Sequence, residues 1–387
     1  LKKRLAIITT HPIQYHAPLF ELLAKRGVVD ICVFYTWGAT VMDNKYDPGF
    51  NKDISWDIDL LNGYNFIFLE NSAHDKGSHH FNGIINKDII SELKVFKPDA
   101  LLVFGWSFNS HLKAIRYFSR KLPIYFRGDS TLLDHPGYFR KYFRMVFLKW
   151  VYRHIDKAFY VGKRNYDYYK YAGLKDEQLV FSPHAIDNAR FSCFRNDCIS
   201  KAAELKKSLR IELDDFVFLF AGKFETKKNP YLLLDAFLLS DMEPHVKLIM
   251  AGNGPLEIEL KRKYSNCSSI IFIDFQNQSM MPSLYNIADV FVLPSYGPGE
   301  TWGLAVNEAM AGSKCVVVSD QCGCAVDLVY DNENGYIFKS GDKAELSNIL
   351  KKISSNKQLA KSFGKKSLEI ITNFSFLKIA ESIESVL

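Results

Sequence analysis

Short apolar runs of roughly four to eight residues alternate with longer amphipathic stretches along this chain, and near the middle the alternation starts again. In the first half LAIITT, VDICVFYTW, DALLVFGW and LPIYFRG read as strands. APLFELLAKRG, IINKDIISELKVFK and SHLKAIRYFSRK read as helices, the first ending at Gly27. A long basic helix, the strand AFYVG, a helix ending near Gly173 and the strand QLVFSP follow. In the second half the strands are FVFLFAGK, VKLIMAGNG, SIIFIDF, DVFVLPS and KCVVVSD. Between and after them come the helices NPYLLLDAFLLS, PLEIELKRKYS, SMMPSLYNIA, TWGLAVNEAMAGS and AELSNILKKISS. Strands that are apolar throughout belong to parallel sheets covered on both faces. The pattern therefore predicts two doubly wound α/β domains in tandem, over 1–190 and 205–372, with a boundary near 188–206 where strand periodicity is absent. FSFLKIAESIESVL closes the chain as one more helix. Ligands of such sheets bind beyond the carboxyl ends of the strands, and a cleft between two such domains is the expected site.

A length of 387 residues suits two domains. No run of 18 apolar residues is present, so no membrane-spanning helix is expected. LKKRLAIITTHPIQYHAP has too short an apolar stretch for a signal peptide and reads as a first strand. The seven cysteines are scattered and odd in number, which fits a reducing cytoplasm better than a disulfide framework. Cys322-Gly-Cys324 lacks a second ligand pair at zinc spacing, and no metal site is expected there. His74, His79 and His80, in NSAHDKGSHH, read as a mobile surface loop.

Charge is uneven. Residues 1–190 hold 27 Lys/Arg against 19 Asp/Glu, and the stretch 136–175 alone holds ten basic and two acidic residues. A solvated helix face is one reading of that stretch. Peripheral attachment to anionic lipid is another, since its basic residues are interleaved with Phe, Tyr and Trp. Nucleic-acid binding is set aside, because no recognised nucleic-acid module is present.

The stretch PGETWGLAVNEAMAG, residues 298–312, places Glu300 after a turn and Glu308 on the apolar side of a helix. Glutamate is seldom buried without a partner. Thr301 can cap a helix beginning there, and its first turn, Thr301-Trp302-Gly303-Leu304, would offer backbone N–H groups to a diphosphate. Gly303 leaves room for close approach. Glu308 could bridge two ribose hydroxyls or answer a core Arg or Lys. Eight helical residues span roughly 12 Å, about the reach from a sugar across a diphosphate to a ribose. Lys223 follows Gly222 at the end of a strand, with Lys227 and Lys228 close behind. They read either as surface lysines or as cations for a diphosphate leaving group. AGNGP by itself is weak evidence for a nucleotide.

Taken in order, Gly222-Lys223 with Lys228, AGNGPLEIEL, FIDFQNQSMMPSLYNIADVFVLPS and GETWGLAVNEAMAGSKCVVVSD resemble the family-4 glycosyltransferases of the GT-B fold. THPIQYHAPLF, YDPGF, LPIYFRGDS and SPHAIDNARF resemble a bacterial branch of that family. The resemblance implies a retaining glycosyltransferase with two Rossmann-like domains facing across a cleft. The C-terminal domain would hold a nucleotide-diphosphate sugar and the N-terminal domain the acceptor, with the last helix, 373–387, rejoining the N-terminal domain. It further implies no divalent metal and no other cofactor. Lys223 and Lys228 match the phosphate-binding pair, Glu308 the ribose contact and Glu300 the glutamate near the donor sugar, while Phe275 and Gln276 fall where the base is held. The acceptor would be a carbohydrate or lipid-linked hydroxyl, as in polysaccharide, lipopolysaccharide or glycolipid synthesis.

The chain departs from the family at two loops and at Asp274, which stands where a glycine usually precedes the base-contacting residues. The first reads Thr9-Thr10-His11-Pro12 with Gln14 where glycines are common, and Phe126-Arg127-Gly128-Asp129-Ser130 stands where a histidine is usual. Arg127 and Asp129 are expected to line the cleft and take over polar contacts. His11 and Gln14, with Trp106 and Asn109 after DALLVFG, are the acceptor-side candidates. A loop role for His11 and core packing for Trp106 are the alternatives. A sugar-nucleotide epimerase or hydrolase of the same fold and a non-catalytic sugar-nucleotide binder are the rival functions. TTHPIQ is not a dinucleotide fingerprint, which argues against an oxidoreductase.

Overall fold

A computed structural model describes residues 2–39, 45–47, 49–50, 52–133, 138–297 and 299–387. In chain order the strands are β1 (Arg4–Thr9), β2 (Asp30–Tyr35), β3 (Lys45–Asp47), β4 (Lys52–Ile54), β5 (Asn65–Phe68), β6 (Ala100–Phe104), β7 (Ile124–Arg127), β8 (Lys157–Tyr160) and β9 (Leu179–Phe181). They continue with β10 (Phe216–Ala221), β11 (Val246–Ala251), β12 (Ile270–Ile273), β13 (Val290–Leu293), β14 (Cys315–Ser319) and β15 (Gly335–Phe338). Two compact units result. One comprises Leu1–Lys45, Asp59–His184 and Phe376–Leu387, the other Tyr46–Ile58 and Ala185–Ser375.

Among the described residues the first unit holds a parallel sheet ordered β5-β2-β1-β6-β7-β8-β9. β1 and β6 are buried almost end to end, as a strand covered by helices on both faces must be. Ala6, Ile8, Phe34, Leu101, Val103 and Phe126 meet the helical residues Ile89, Leu93 and Ile115 in one core. The edge strand β5 is at best half-buried. His111, fully buried, bridges Thr36 Oγ1 at 2.9 Å and the Gly105 carbonyl at 2.9 Å. The closing helix Phe376–Glu384 packs on Ala17–Arg26, where Arg26 grips Glu384 through two hydrogen bonds of 2.8 and 2.7 Å. The Tyr125 hydroxyl donates to the Val386 carbonyl at 2.6 Å.

The second unit's parallel sheet is ordered β12-β11-β10-β13-β14-β15. Phe216, Phe218 and Phe220 alternate on β10 and face Leu234, Phe237, Leu346 and Leu350. The chain runs outward to one side through β11 and β12 and to the other through β13, so the order reverses between β10 and β13. Ligands of doubly wound sheets sit at that reversal, beyond the carboxyl ends.

Several details differ from the sequence expectation. Residues 46–58 and 185–190 belong to the second unit, not the first. Asp57 and Ser55 are hydrogen-bonded to Ser279 and Asn277, and Arg190 Nη2 donates to Gln278 at 2.9 Å. The helix expected over IINKDIISELKVFK begins only at Ile89, because Asn86 is buried, its N–H and side-chain amide spent on Ser110, Thr36 and Glu70. NSAHDKGSHH forms a hydrogen-bonded turn in which Gly77 and Gly83 touch backbone to backbone. In it Asp75 accepts from His79 at 3.1 Å and lies 3.2 Å from His80. Those two rings hold its carboxyl below the usual range.

Candidate active site

The carboxyl edge of the second sheet gathers the charged residues of this unit's motifs. After β10 come Gly222 and Lys223, then a single helical turn, Thr226–Lys228. After β13 the chain passes Ser295 and two left-handed glycines, Gly297 and Gly299, to reach Glu300. Glu300 is 8 % exposed, accepts from Ser295 Oγ at 2.9 Å and forms an ion pair with the ammonium of Lys228. Burial works against the Lys228 charge. The Glu300 carboxylate outweighs it and raises the lysine pKa above its ordinary value, so the lysine keeps its charge. Lys227, by contrast, is half-buried and lies 3.4 Å from Glu225.

The helix that carries Glu308 begins later than its sequence suggests. It spans Leu304–Ala311 with Gly303 at the N-cap, at φ 105°. A β-carbon at Gly303 would come within 2.9 Å of Leu293 and 3.8 Å of Glu300, and its backbone angle is strained for any other residue. Thr301 is therefore not the cap. Residues 300–302 instead run against 323–324, with Gly323 N on Glu300 O at 3.0 Å and Cys324 N on Trp302 O at 2.9 Å. The Trp302 ring is buried beside Phe374, and its Nε1 donates to Asn307 at 2.8 Å, so its side chain serves packing. In the first turn Val306 N already donates to the Gly303 carbonyl at 2.9 Å, so the first-turn N–H groups that a ligand could use are those of Leu304 and Ala305. Glu308 is 3 % exposed and accepts from the Tyr285 hydroxyl at 2.8 Å.

Asn253 is a residue the sequence reading passed over. Its carbonyl oxygen accepts from Phe275 N at 2.7 Å and its amide reaches Glu257 and Asp274, while its backbone carbonyl takes Phe224 N at 2.9 Å. It thereby ties together the loops after β10, β11 and β12. Gly252, at φ 142°, would drive a β-carbon to 2.0 Å from the Gly222 carbonyl. The AGNGP turn is thus a packing requirement beside Lys223. Gln276 turns back to donate to the Asp274 carbonyl at 2.9 Å.

At the carboxyl edge of the first sheet the structure gathers His11, Asp129 and Arg127 with two residues that were not singled out, His16 and His184. Arg127 does not line an open surface. It is 4 % exposed, with Nη1 donating to the Ser182 carbonyl and hydroxyl at 2.8 Å and Nη2 to the Pro183 carbonyl at 2.9 Å. Burial lowers its pKa to about 10. It is a brace between β7 and the end of β9, because a buried guanidinium must spend its donors on nearby carbonyls. Asp129 is half-exposed and lies 3.7 Å from His184 Nε2. His16 packs on Phe104, and its buried Nδ1 has no hydrogen-bond partner among the described residues. Burial first, then the Arg127 charge, push its pKa down to about 3. His184 is also lowered, by burial, against the pull of Asp129. His11 meets Thr10 at 2.9 Å and sits edge-on to Trp37, and Gln14 is buried. Trp106 and Asn109 have other neighbours. Trp106 lies 5.4 Å from the Phe147 ring, and Asn109 donates to Asn82 at 3.2 Å.

Residues 201–369 match the family model described as glycosyl transferases group 1. D-inositol 3-phosphate glycosyltransferase of Corynebacterium diphtheriae is 29% identical over 56% of this chain and 51% of its own length. The chain spans about half the length of the curated relatives it matches. Among solved structures, Anabaena HepE in complex with UDP superposes with a TM-score of 0.73 at 17% identity, covering 99% of both chains. WaaG, a glycosyltransferase involved in lipopolysaccharide biosynthesis, gives 0.68 at 15% identity, again over 99% of both. The fold is that of these GT-B proteins, two Rossmann-like units built on parallel sheets.

Proposed function

We propose that this chain is a nucleotide-sugar-dependent glycosyltransferase that retains anomeric configuration and works without a divalent metal. The observation that carries this is the largely shielded Lys228–Glu300 ion pair at the strand-order reversal, one turn from the start of a helix that also buries Glu308. Burying charges is costly, and an ion pair beside helical N–H groups is suited to an anionic ligand. Lys223, Lys228 and the first-turn N–H groups from Leu304 would neutralise the diphosphate. Glu308, steadied by Tyr285, would hold the ribose, Glu300 the transferred sugar, and the loop at Phe275 and Gln276 the base. The bond from the anomeric carbon to the diphosphate breaks and the acceptor oxygen bonds to that carbon on the same face. The acceptor proton passes to the departing phosphate oxygen. The fixed cations stabilise the charge that develops on the leaving group. His11, Gln14 and Asp129 of the first unit are the acceptor contacts in this reading.

The matched family and relatives with glycosyltransferase names support the transferase over an epimerase, a hydrolase or a non-catalytic binder. The likeness to WaaG suits a cell-surface glycan or glycolipid acceptor. No helix among the described residues is long and apolar enough to cross a membrane. The helix Tyr138–Tyr152 exposes Phe143 and Phe147 beside Arg144 and Lys149, which suits peripheral contact with anionic lipid on the cytoplasmic side.

Thermal shift with UDP, GDP, ADP and CMP and their sugars, with and without EDTA, tests the donor site. One nucleotide raising the melting temperature, unaffected by EDTA and weakened in Glu308→Gln, is the expected result. No shift with any of them overturns it. Binding with no transfer to any supplied glycan or glycolipid acceptor favours the non-catalytic rival.

A further inference from the structure

Residues 46–58 lie in sequence between β2 and β5 of the first unit, yet they belong to the second. The described residues 49, 50 and 55–57 of this stretch form a strap fastened to the loops after β10, β11 and β12. Asp57 accepts from the Ser279 N–H at 3.1 Å and from its hydroxyl, while Asn277 donates to the Ser55 carbonyl at 2.6 Å. The Phe50 and Trp56 rings lie 4.8 and 6.3 Å from the Phe275 ring, both edge to face. The Lys223 ammonium stands 4.8 Å from the centre of the Phe50 ring. The backbones approach closely at Gly254, where a β-carbon, at φ 155°, would fall 2.7 Å from the Phe224 carbonyl and 3.0 Å from the Gly49 carbonyl, while one on Gly49 would meet the movable Lys223 side chain.

We propose that this strap is part of the donor pocket, with Phe50 and Trp56 joining Phe275 as an aromatic platform for the nucleobase. The proposal rests on the donor-site reading given above. Three half-buried rings keep stacking surface available, and they sit beside a lysine at the carboxyl end of β10. An aromatic surface next to a cation matches a base next to a phosphate. Every base has a π face, so such a platform raises affinity without choosing the base. The strap therefore sets how tightly nucleoside diphosphates bind, and the choice among them lies with hydrogen bonds elsewhere.

Calorimetric titration of the full chain with UDP, GDP and ADP tests this, using wild type, Phe50→Ala, Trp56→Ala, Trp56→Phe and Asp57→Ala. Far-ultraviolet dichroism and melting temperature check folding. For whichever diphosphates bind wild type, affinity should fall about ten- to a hundredfold in Phe50→Ala and Trp56→Ala. It should fall less in Asp57→Ala, which loosens the strap, and stay near wild type in Trp56→Phe. The ranking of the three nucleotides should not change. Wild-type binding with unaltered affinity in folded Phe50→Ala and Trp56→Ala overturns the strap's role and leaves the donor site standing. Tighter binding in those variants also overturns it, since the strap would then be a plug. No binding by wild type overturns both readings.

Discussion

The carboxyl edges of the two sheets handle charge in opposite ways. In the second unit a lysine is largely shielded from solvent and nevertheless held in its charged form, because Glu300 lies against it. In the first unit His16 and His184 are shifted toward their neutral forms, with burial the leading cause in each, while the buried Arg127 spends its donors on the Ser182 and Pro183 carbonyls. One edge keeps its lysine charged under desolvation, and the other holds its histidines neutral. The first arrangement suits a diphosphate. The second suits a neutral hydroxyl, which gains nothing from a strong field and needs hydrogen-bonding groups that are not permanently ionised.

The largest test of that contrast is Lys228→Ala. The substitution removes a cation from the leaving group and leaves the Glu300 charge buried without its partner. Turnover efficiency should fall about a thousandfold or more. Lys228→Arg should recover part of it. Steady-state kinetics with a saturating acceptor check this, and a loss under tenfold would mean that the pair is architectural.

Acid should act on the first unit before the second. Burial lowers the pKa of His111 to about 4 and that of His16 to about 3, whereas an unfolded histidine titrates near 6.5. Between those values the unfolded chain binds protons that the folded unit does not. Stability is therefore complete above about pH 7 and is lost as pH falls through 6.5 toward 4. For His111 alone this is on the order of 3 kcal/mol. The second unit's single histidine, His245, is exposed. Hydrogen exchange at pH 7 and pH 5 should show protection falling in β1, β6 and β7 while β10 and β13 keep theirs. Equal loss in both sheets would break the comparison.

The same contrast explains what could be read from the sequence. Both glutamates of the second edge fall in one contiguous stretch, and helical spacing placed Glu308 inward and Glu300 at the turn. The fold was legible because β1, β6, β10 and β13 are apolar throughout. β5 was missed because an edge strand pairs on one side only and is at most half-buried, so NFIF gives too weak a signal. The start of the helix carrying Glu308 was misplaced because capping rules favour Thr301, whereas the tight packing of Gly323 on the Thr301 carbonyl holds residues 300–302 out of the helix in a bend. The first edge draws on residues 11–16, 127–129 and 182–184, which only β1, β7 and β9 bring together. No local spacing reveals it, and Arg127, read as lining a cleft, proved to be a brace. The strap was equally hidden, since its partners Asn277 and Ser279 lie 222 residues away in the chain.

Arg127→Ala separates those two readings of the arginine. Its loss leaves the Ser182 and Pro183 carbonyls unsatisfied, and stability should drop by about 2–3 kcal/mol. Activity per folded molecule should stay within a few-fold of wild type, with the acceptor KM moving more than kcat. Asp129→Asn should show the reverse pattern, with little change in melting temperature and a clear rise in acceptor KM. A folded, inactive Arg127→Ala protein would return the guanidinium to the chemistry.

The smallest effect concerns how the first unit meets its acceptor. On the helix Tyr138–Tyr152, Phe143 is 69 % and Phe147 43 % exposed, with Trp150 stacked on Phe147 and Arg116 and Arg153 over Trp150. Aromatic rings held in water beside guanidinium groups suit a headgroup interface, where the rings insert and the cations meet anionic lipid. Partition onto phosphatidylglycerol vesicles should fall about tenfold in Phe143→Ser, by the loss of buried apolar area. It should also weaken as salt rises from 50 to about 500 mM, because screening shortens the reach of the basic residues. Vesicles of phosphatidylcholine alone should bind poorly. If Phe143→Ser partitions like wild type at both salt concentrations, the basic face is simply solvated, and the difference between the two units is confined to their sheet edges.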